Sequence, residues 1–149
     1  MDDAERQLDT FIDRFSPDVA ATGRDAIRRL RARLPSAQLL IYDNYNALAV
    51  GFAPSQRASE GILSIAFYPR WVSLFFLQGH ALDDPDNVLK GHGNVVRHIV
   101  LKAAADLDDP VISTLIDQAL VKAKVPLDPG AVGILTVKSI APKQRARRP

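Results

Sequence analysis

Apolar side chains recur along the chain with two periods, and each change of period marks an element. Leu8, Phe11, Ile12 and Phe15 fall at i, i+3, i+4 and i+7, one stripe of a helix predicted over residues 2–15. Ser16-Pro17 ends it and opens a second helix, because serine caps N-termini and proline tolerates the first helical position. That helix runs to about Arg33, where Leu34-Pro35 disfavours helical backbone. Its apolar face is Ala20, Gly23, Ile27, Leu30 and Leu34, and five arginines (24, 28, 29, 31 and 33) cover the remainder. Arg24, Arg28 and Arg31 share a ridge that reads as a solvated flank, with anion binding as the alternative.

From residue 38 the period becomes two. Leu39 to Tyr42 predicts a short strand and Asp43-Asn44 a turn. Leu48, Val50 and Phe52 alternate with Ala47, Ala49 and Gly51, a strand with one heavy face. After a polar loop over 54–61, strands are predicted over 62–68 and 71–77, joined as a hairpin through Pro69-Arg70. Residues 79–93 are irregular, with Asp83-Asp84-Pro85 placed to open a short helix, and a further strand spans 95–101. Asp108-Asp109-Pro110 caps a helix reaching about Lys124, with the stripe Ile112, Leu115, Ile116, Ala119, Leu120 and Ala123. A turn over 126–130 leads to a last strand over 132–137.

Consecutive strands with short links imply antiparallel pairing. Helices at both ends of the chain can cover one face of the sheet. The expectation is an α+β two-layer sandwich, an antiparallel sheet of about five strands covered by N- and C-terminal helices. One domain takes residues 1–140, and a basic tail over 141–149 is expected to be disordered.

Composition narrows the function classes. The chain has 149 residues, 47% hydrophobic and 24% charged, enough for one domain with a real core. It has no cysteine, which excludes disulfides, thiolate metal sites and thiol nucleophiles. No apolar run approaches the ~20 residues of a membrane span, so no membrane partner is expected. The acidic start MDDAERQLDTF does not read as a secretory leader, and a cytoplasmic location is the expectation. Net charge is +2, but Lys138, Lys143, Arg145, Arg147 and Arg148 lie in the last twelve residues without an acid. Without these five, 14 basic residues stand against 17 acidic ones. Nucleic-acid binding is therefore expected only through the tail, if at all.

The three histidines, His80, His92 and His98, make no helical pair and have no carboxylate at metal-binding spacing. There is no Gly-x-Ser-x-Gly elbow. Gly91-His92-Gly93 lacks the third glycine of a dinucleotide fingerprint and precedes a strand where that fingerprint follows one. Gly91 and Gly93 read as a tight corner, with a backbone nest for an anion as the alternative. Arg97, between Val95 and Ile99 on the strand, needs an acceptor. A carboxylate of Asp83, Asp84 or Asp86, or carbonyls of residues 79–90, is expected to supply it, and a bound anion is the alternative.

The stretch VLKGHGNVVRHIVLK, together with YDNYNALAVGF (42–52), PSQRAS (54–59), SIAFYPRWVSLFF (64–76) and GHALDDPDNVL (79–89), resembles the YdhG-like family, a domain of unknown function. The resemblance spans roughly residues 24–124. It implies a lysine after the second glycine, where this chain has Asn94, and that departure weakens an anion role for the corner. It also implies a frataxin-like fold, and one branch of the family is thought to act as an intracellular iron chaperone. The residues that match its motifs outside the obvious core are Tyr45, Asn46, Arg57, Trp71, His80 and Arg97. With Gly91 and Gly93 they form the candidate ligand-binding set of a non-enzymatic module for a small ligand or a protein partner, with no cofactor. The alternative is weak iron binding through carboxylates, for which Asp83, Asp84 and Asp86 are the candidates. The acids of the first helix (Asp2, Asp3, Glu5, Asp9 and Asp13) read as scattered around its axis.

Overall fold

A computed structural model describes residues 2–149. Two helices, α1 (Asp3–Asp13) and α2 (Pro17–Arg33), precede five strands: β1 (Gln38–Asp43), β2 (Leu48–Ala53), β3 (Leu63–Phe67), β4 (Val72–Phe76) and β5 (Arg97–Leu101). Helix α3 (Pro110–Val121) and strand β6 (Leu135–Ile140) follow. The fold is α+β, with a six-stranded sheet in the order β5-β4-β3-β2-β1-β6. Strands β1 to β5 form an antiparallel meander, as short connections require. The expectation of a purely antiparallel sheet of about five strands is corrected by β6, which runs parallel to β1. β5 and β6 lie at opposite edges, so the long connection carrying α3 frees β6 from the direction a hairpin would impose.

The strand alternation sorts the core. Leu48, Val50 and Phe52 of β2, Leu63, Ile65 and Phe67 of β3, and Val72, Leu74 and Phe76 of β4 all join one buried cluster with Ile12, Phe15, Ile27, Leu30 and Ile116 of the helical layer. Each such side chain contributes about 1.5–3 kcal/mol on burial. Gly23 lets α2 approach closely, since a Cβ there would stand 1.9 Å from the Phe67 ring.

Arg24 and Arg31 are braces to α1, whereas Arg28 stays a solvated flank residue paired with Asp25 of its own helix. Arg24 donates to the carboxylates of Asp9 at 2.6 Å and Asp13 at 2.7 Å, and Arg31 to Glu5 at 3.1 Å. Glu5, Asp9 and Asp13 therefore form one ridge facing α2, recurring every four residues, which corrects the reading of scattered acids for these three; Asp2 caps the helix and the exposed Asp3 pairs with Arg6. Burial opposes the charge of Arg24, but its bonds to Asp13 and Asp9 hold the guanidinium above its ordinary range. Arg28, then Arg29, hold the Asp25 carboxyl below its ordinary value. Arg33 reaches α3 through Asp117 and Ser113.

Three local expectations are corrected. Asp83-Asp84-Pro85 opens no helix: the Asp84 carboxylate accepts the N–H groups of Val88 at 3.0 Å and Leu89 at 2.9 Å, closing a turn with Asn87 at φ 54°. The last strand begins at Leu135 rather than residue 132, because the preceding segment lies against β1's approach, where a Cβ on Gly133 would stand 2.6 Å from the Ala37 carbonyl. The third correction is the largest. Residues 141–149 are seated on the domain. Ala141 N–H donates to the Asp43 carbonyl at 2.8 Å and Gln144 Nε2 to the Asp43 carboxylate at 2.9 Å. The buried Arg147 donates to Asp43 Oδ1 at 2.8 Å and to the Asn44 carbonyl at 2.6 Å. Basic composition suggested a loose tail; the buried carboxylate of Asp43, which requires a counter-charge, ties it down. Among the described residues no helix is long and apolar enough to cross a membrane.

Candidate functional site on the open face of the sheet

The heavy residues of β2, β3 and β4 point to the helices, so the opposite face carries what alternates with them, together with the buried Leu40 of β1. Strand register lines these residues up in two rows. One runs Tyr42, Ala49, Ala66, Ser73 and Val100; the other runs Leu40, Gly51, Ser64, Phe75 and His98. The middle of both rows is small, and larger side chains stand at either side. A trough results, and its upper part is a hollow of about 510 Å³ reaching the β1–β2 turn at Asn44, Tyr45 and Asn46.

Aromatic rings form the rim. Trp71 stacks on Tyr68 with centroids 4.8 Å apart and planes 18° apart, while Tyr68 N–H donates to the Trp71 carbonyl at 2.9 Å to close the β3–β4 hairpin. Phe75 lies 5.2 Å from His98 on the next strand. Tyr45, Trp71 and Val100 remain 43%, 42% and 47% exposed, although all are large apolar side chains. The Arg145 guanidinium sits 5.5 Å over the Tyr45 ring, and Arg145 N–H donates to the Tyr45 carbonyl at 2.9 Å. Arg70 is exposed in the turn between Tyr68 and Trp71. No strand residue on this face is a carboxylate; Asp43, the one acidic strand residue, points to the other side.

Burial pushes the phenols of Tyr42 and Tyr68 up, so both stay neutral at physiological pH. What the face offers is apolar contact, ring stacking, and hydrogen bonds from the exposed Asn44 and Asn46.

The structure divides the expected site residues among four places. Tyr45 and Asn46 border the hollow, and Trp71 extends its rim. Arg57 is exposed in its loop, with Nη1 3.8 Å from Glu60 Oε2. His80 lies on the helical side of the sheet's end, its Nδ1 3.3 Å from the Val95 carbonyl. Gly91, Gly93 and Arg97 form the corner. Gly91 has φ +124°, as a tight corner requires, whereas Gly93 is not in the left-handed region and has no neighbour within 4 Å of a built Cβ. Arg97 Nη1 donates to the carbonyls of Gly93 at 2.6 Å and Val96 at 2.9 Å. This corrects the expected clamp onto Asp83, Asp84, Asp86 or carbonyls of 79–90. The corner folds its own carbonyls over the guanidinium, and Asp84 is engaged by backbone N–H groups.

The carboxylates of the iron alternative fare similarly. Asp83, Asp84 and Asp86 border a shallow hollow beside Pro110, Thr114 and Gln118 of α3. Among the described residues no group of three or more His, Asp or Glu is placed to hold a metal ion. Sequence reasoning missed Tyr68, Phe75, Ser64, Ala66 and Val100. The signal was present in the small residues alternating with heavy ones, but it was used only to place the core. Comparison with protein families, with curated proteins and with solved structures found no match in any of the three.

Proposed function

We propose that this chain is a non-enzymatic binding module whose open sheet face docks a protein partner. One observation carries the reading: on the sheet face where the helices do not pack, a hollow floored by small residues is bordered by the exposed side chains of Tyr45, Trp71 and Val100. Small-molecule sites enclose most of their ligand's surface, and this face is too open for that. It has instead the anatomy of an interface: an uncharged centre, exposed Tyr and Trp, and a polar border. The border is cationic through Arg70 and Arg145, so the partner's apolar patch is expected to be edged by carboxylates. A relationship to the YdhG-like family is proposed on the same footing; it rests on the motif segments named above, of which 42–52 and 64–76 contribute to this face. No observation favours the iron reading.

The test begins with cross-linking mass spectrometry of the protein in its source cell, followed by purification of the linked partner and a binding isotherm. Cross-links should map to residues 42–49, 66–75 and 98–100. Trp71→Ala and Val100→Arg should each weaken the complex tenfold or more, Val100→Arg without changing the melting temperature because Val100 is 47% exposed, and affinity should fall with salt. Links confined to the helical layer, or a partner indifferent to both variants, would sink the reading. So would a second copy of this chain occupying the face.

A further inference from the structure

We infer that a second cleft, at the C-terminal end of α3, binds an apolar monocarboxylate. It lies away from the open sheet face and does not depend on the reading above. Its walls come from the residue before β3 (Ile62), the end of β4 and the turn after it (Phe76, Leu82), and the last turn of α3 with the residues just beyond it (Ala119, Ala123). It holds about 430 Å³, inside the ~300–1,000 Å³ span of small-ligand sites. The body of a ligand here would meet aliphatic and aromatic carbon on three sides.

The mouth carries the charge that selects the head group. Glu60, Lys122 and Lys124 border the cleft. Glu60 is matched within the protein: the Ser55 hydroxyl donates to Oε1 at 2.8 Å, and the Arg57 guanidinium stands 3.8 Å from Oε2. The lysines are not. Lys122 Nζ donates to the Ala81 carbonyl at 2.7 Å, a neutral acceptor. Among the described residues neither Lys122 nor Lys124 forms an ion pair. The carbonyl end of α3 offsets about half an elementary charge. Two ammonium groups therefore leave the mouth positive, at the edge of an apolar hole. A carboxylate on an apolar body complements both parts; an amine of the same shape would meet repulsion, and an alcohol would leave the ammonium groups unmatched.

The corner singled out by the sequence supports this cleft from behind. His80 N–H donates to the Val95 carbonyl at 3.0 Å, and Gly79 packs so closely on Arg97 that a Cβ would stand 2.5 Å from the Arg97 Cβ. The turn that forms one wall is thus fixed by the strand carrying Arg97.

Isotope-labelled full-length protein titrated with octanoate, octan-1-ol and octylammonium, followed by amide chemical shifts, tests the assignment. Octanoate should give saturable shifts at 60–62, 78–82 and 119–125, at least tenfold tighter than either analogue. Lys124→Gln should weaken octanoate severalfold and Lys124→Arg should retain it; Lys124 is exposed, so neither should disturb folding. Octanol binding as tightly as octanoate, shifts that centre on the open face, shifts that never saturate, or an unaffected Lys124→Gln would each overturn the inference.

Discussion

Removing the Arg147 side chain should cost the domain several kilocalories, although it is the third-last residue of the sequence. In Arg147→Ala the Asp43 carboxylate stays buried, at 2% side-chain exposure, and loses its 2.8 Å partner. Breaking a buried pair from one side costs roughly 3–5 kcal/mol. Two groups soften the loss here: Gln144 Nε2 remains 2.9 Å from Oδ2, and Arg14 Nη1 lies 3.6 Å from the same oxygen. The guanidinium also covers the Phe15 ring at 5.5 Å, a contact worth roughly 0.5–2 kcal/mol. These terms place the net effect near 3 kcal/mol, or about 6–12 °C in melting temperature for a domain of this size. Urea denaturation of Arg147→Ala, Asp43→Asn and the double variant measures it. The double variant should be less destabilised than the sum of the singles, because it removes the orphaned charge together with its partner. A melting temperature within about 1 °C of wild type for Arg147→Ala, well below the shift worked above, would show that the C-terminal residues are not seated on Asp43.

Three further outcomes follow from particular residues. Gly91→Ala should destabilise by about 1 kcal/mol or more, since its φ is +124° and a Cβ would lie 3.2 Å from the Val96 carbonyl, whereas Gly93→Ala should be nearly neutral; equal effects in thermal melts would refute the assignment. Tyr42 and Tyr68 have phenols raised by burial, so the neutral form is favoured in the fold. Their contribution is present below the ordinary tyrosine value of about 10 and is lost as pH rises through the elevated values. Tyr42→Phe/Tyr68→Phe should flatten that alkaline decline, and denaturation series across alkaline pH with tyrosinate absorbance check it. Ferrous iron titrated calorimetrically should give the same heats with wild type and with Asp83→Asn/Asp84→Asn/Asp86→Asn; binding that only the triple variant loses would restore the metal reading.

Most of the fold was legible because it rests on local pattern. The i, i+3, i+4, i+7 stripe of α1, Pro17 at the start of α2, and the Asp109 cap with Pro110 on α3 each encode an element within a few residues. Heavy-light alternation in β2 to β4 fixes which face is buried. The features that failed depend on partners distant in sequence. β6 takes its direction and its start from β1, nearly a hundred residues earlier, and its register slips between Ile41 and Tyr42. Arg24 and Arg33 of α2 become braces only when α1 and α3 bring Asp9, Asp13 and Asp117 to them. Composition could not distinguish Arg147, which is buried, from its exposed neighbour Arg148, because what separates them is Asp43.

The site follows the same division. Tyr45, Asn46 and Trp71 stood out singly, but only strand register shows that Ala49, Ala66 and Ser73 lie in line between Tyr42 and Val100. Small residues in a strand read locally as weak packing positions, with little area to bury. Aligned across three strands they acquire another meaning, because they leave a hollow between the larger side chains that stand at its margin. A helix laid over this face would bury Trp71 and Val100, and the described residues supply none: α1, α2 and α3 all pack on the side of Phe52, Phe67 and Phe76. On the docking reading proposed above, a standard interface would cover ~800 Å² here, and the strand residues of this face carry no carboxylate that would oppose an acidic border on such a partner.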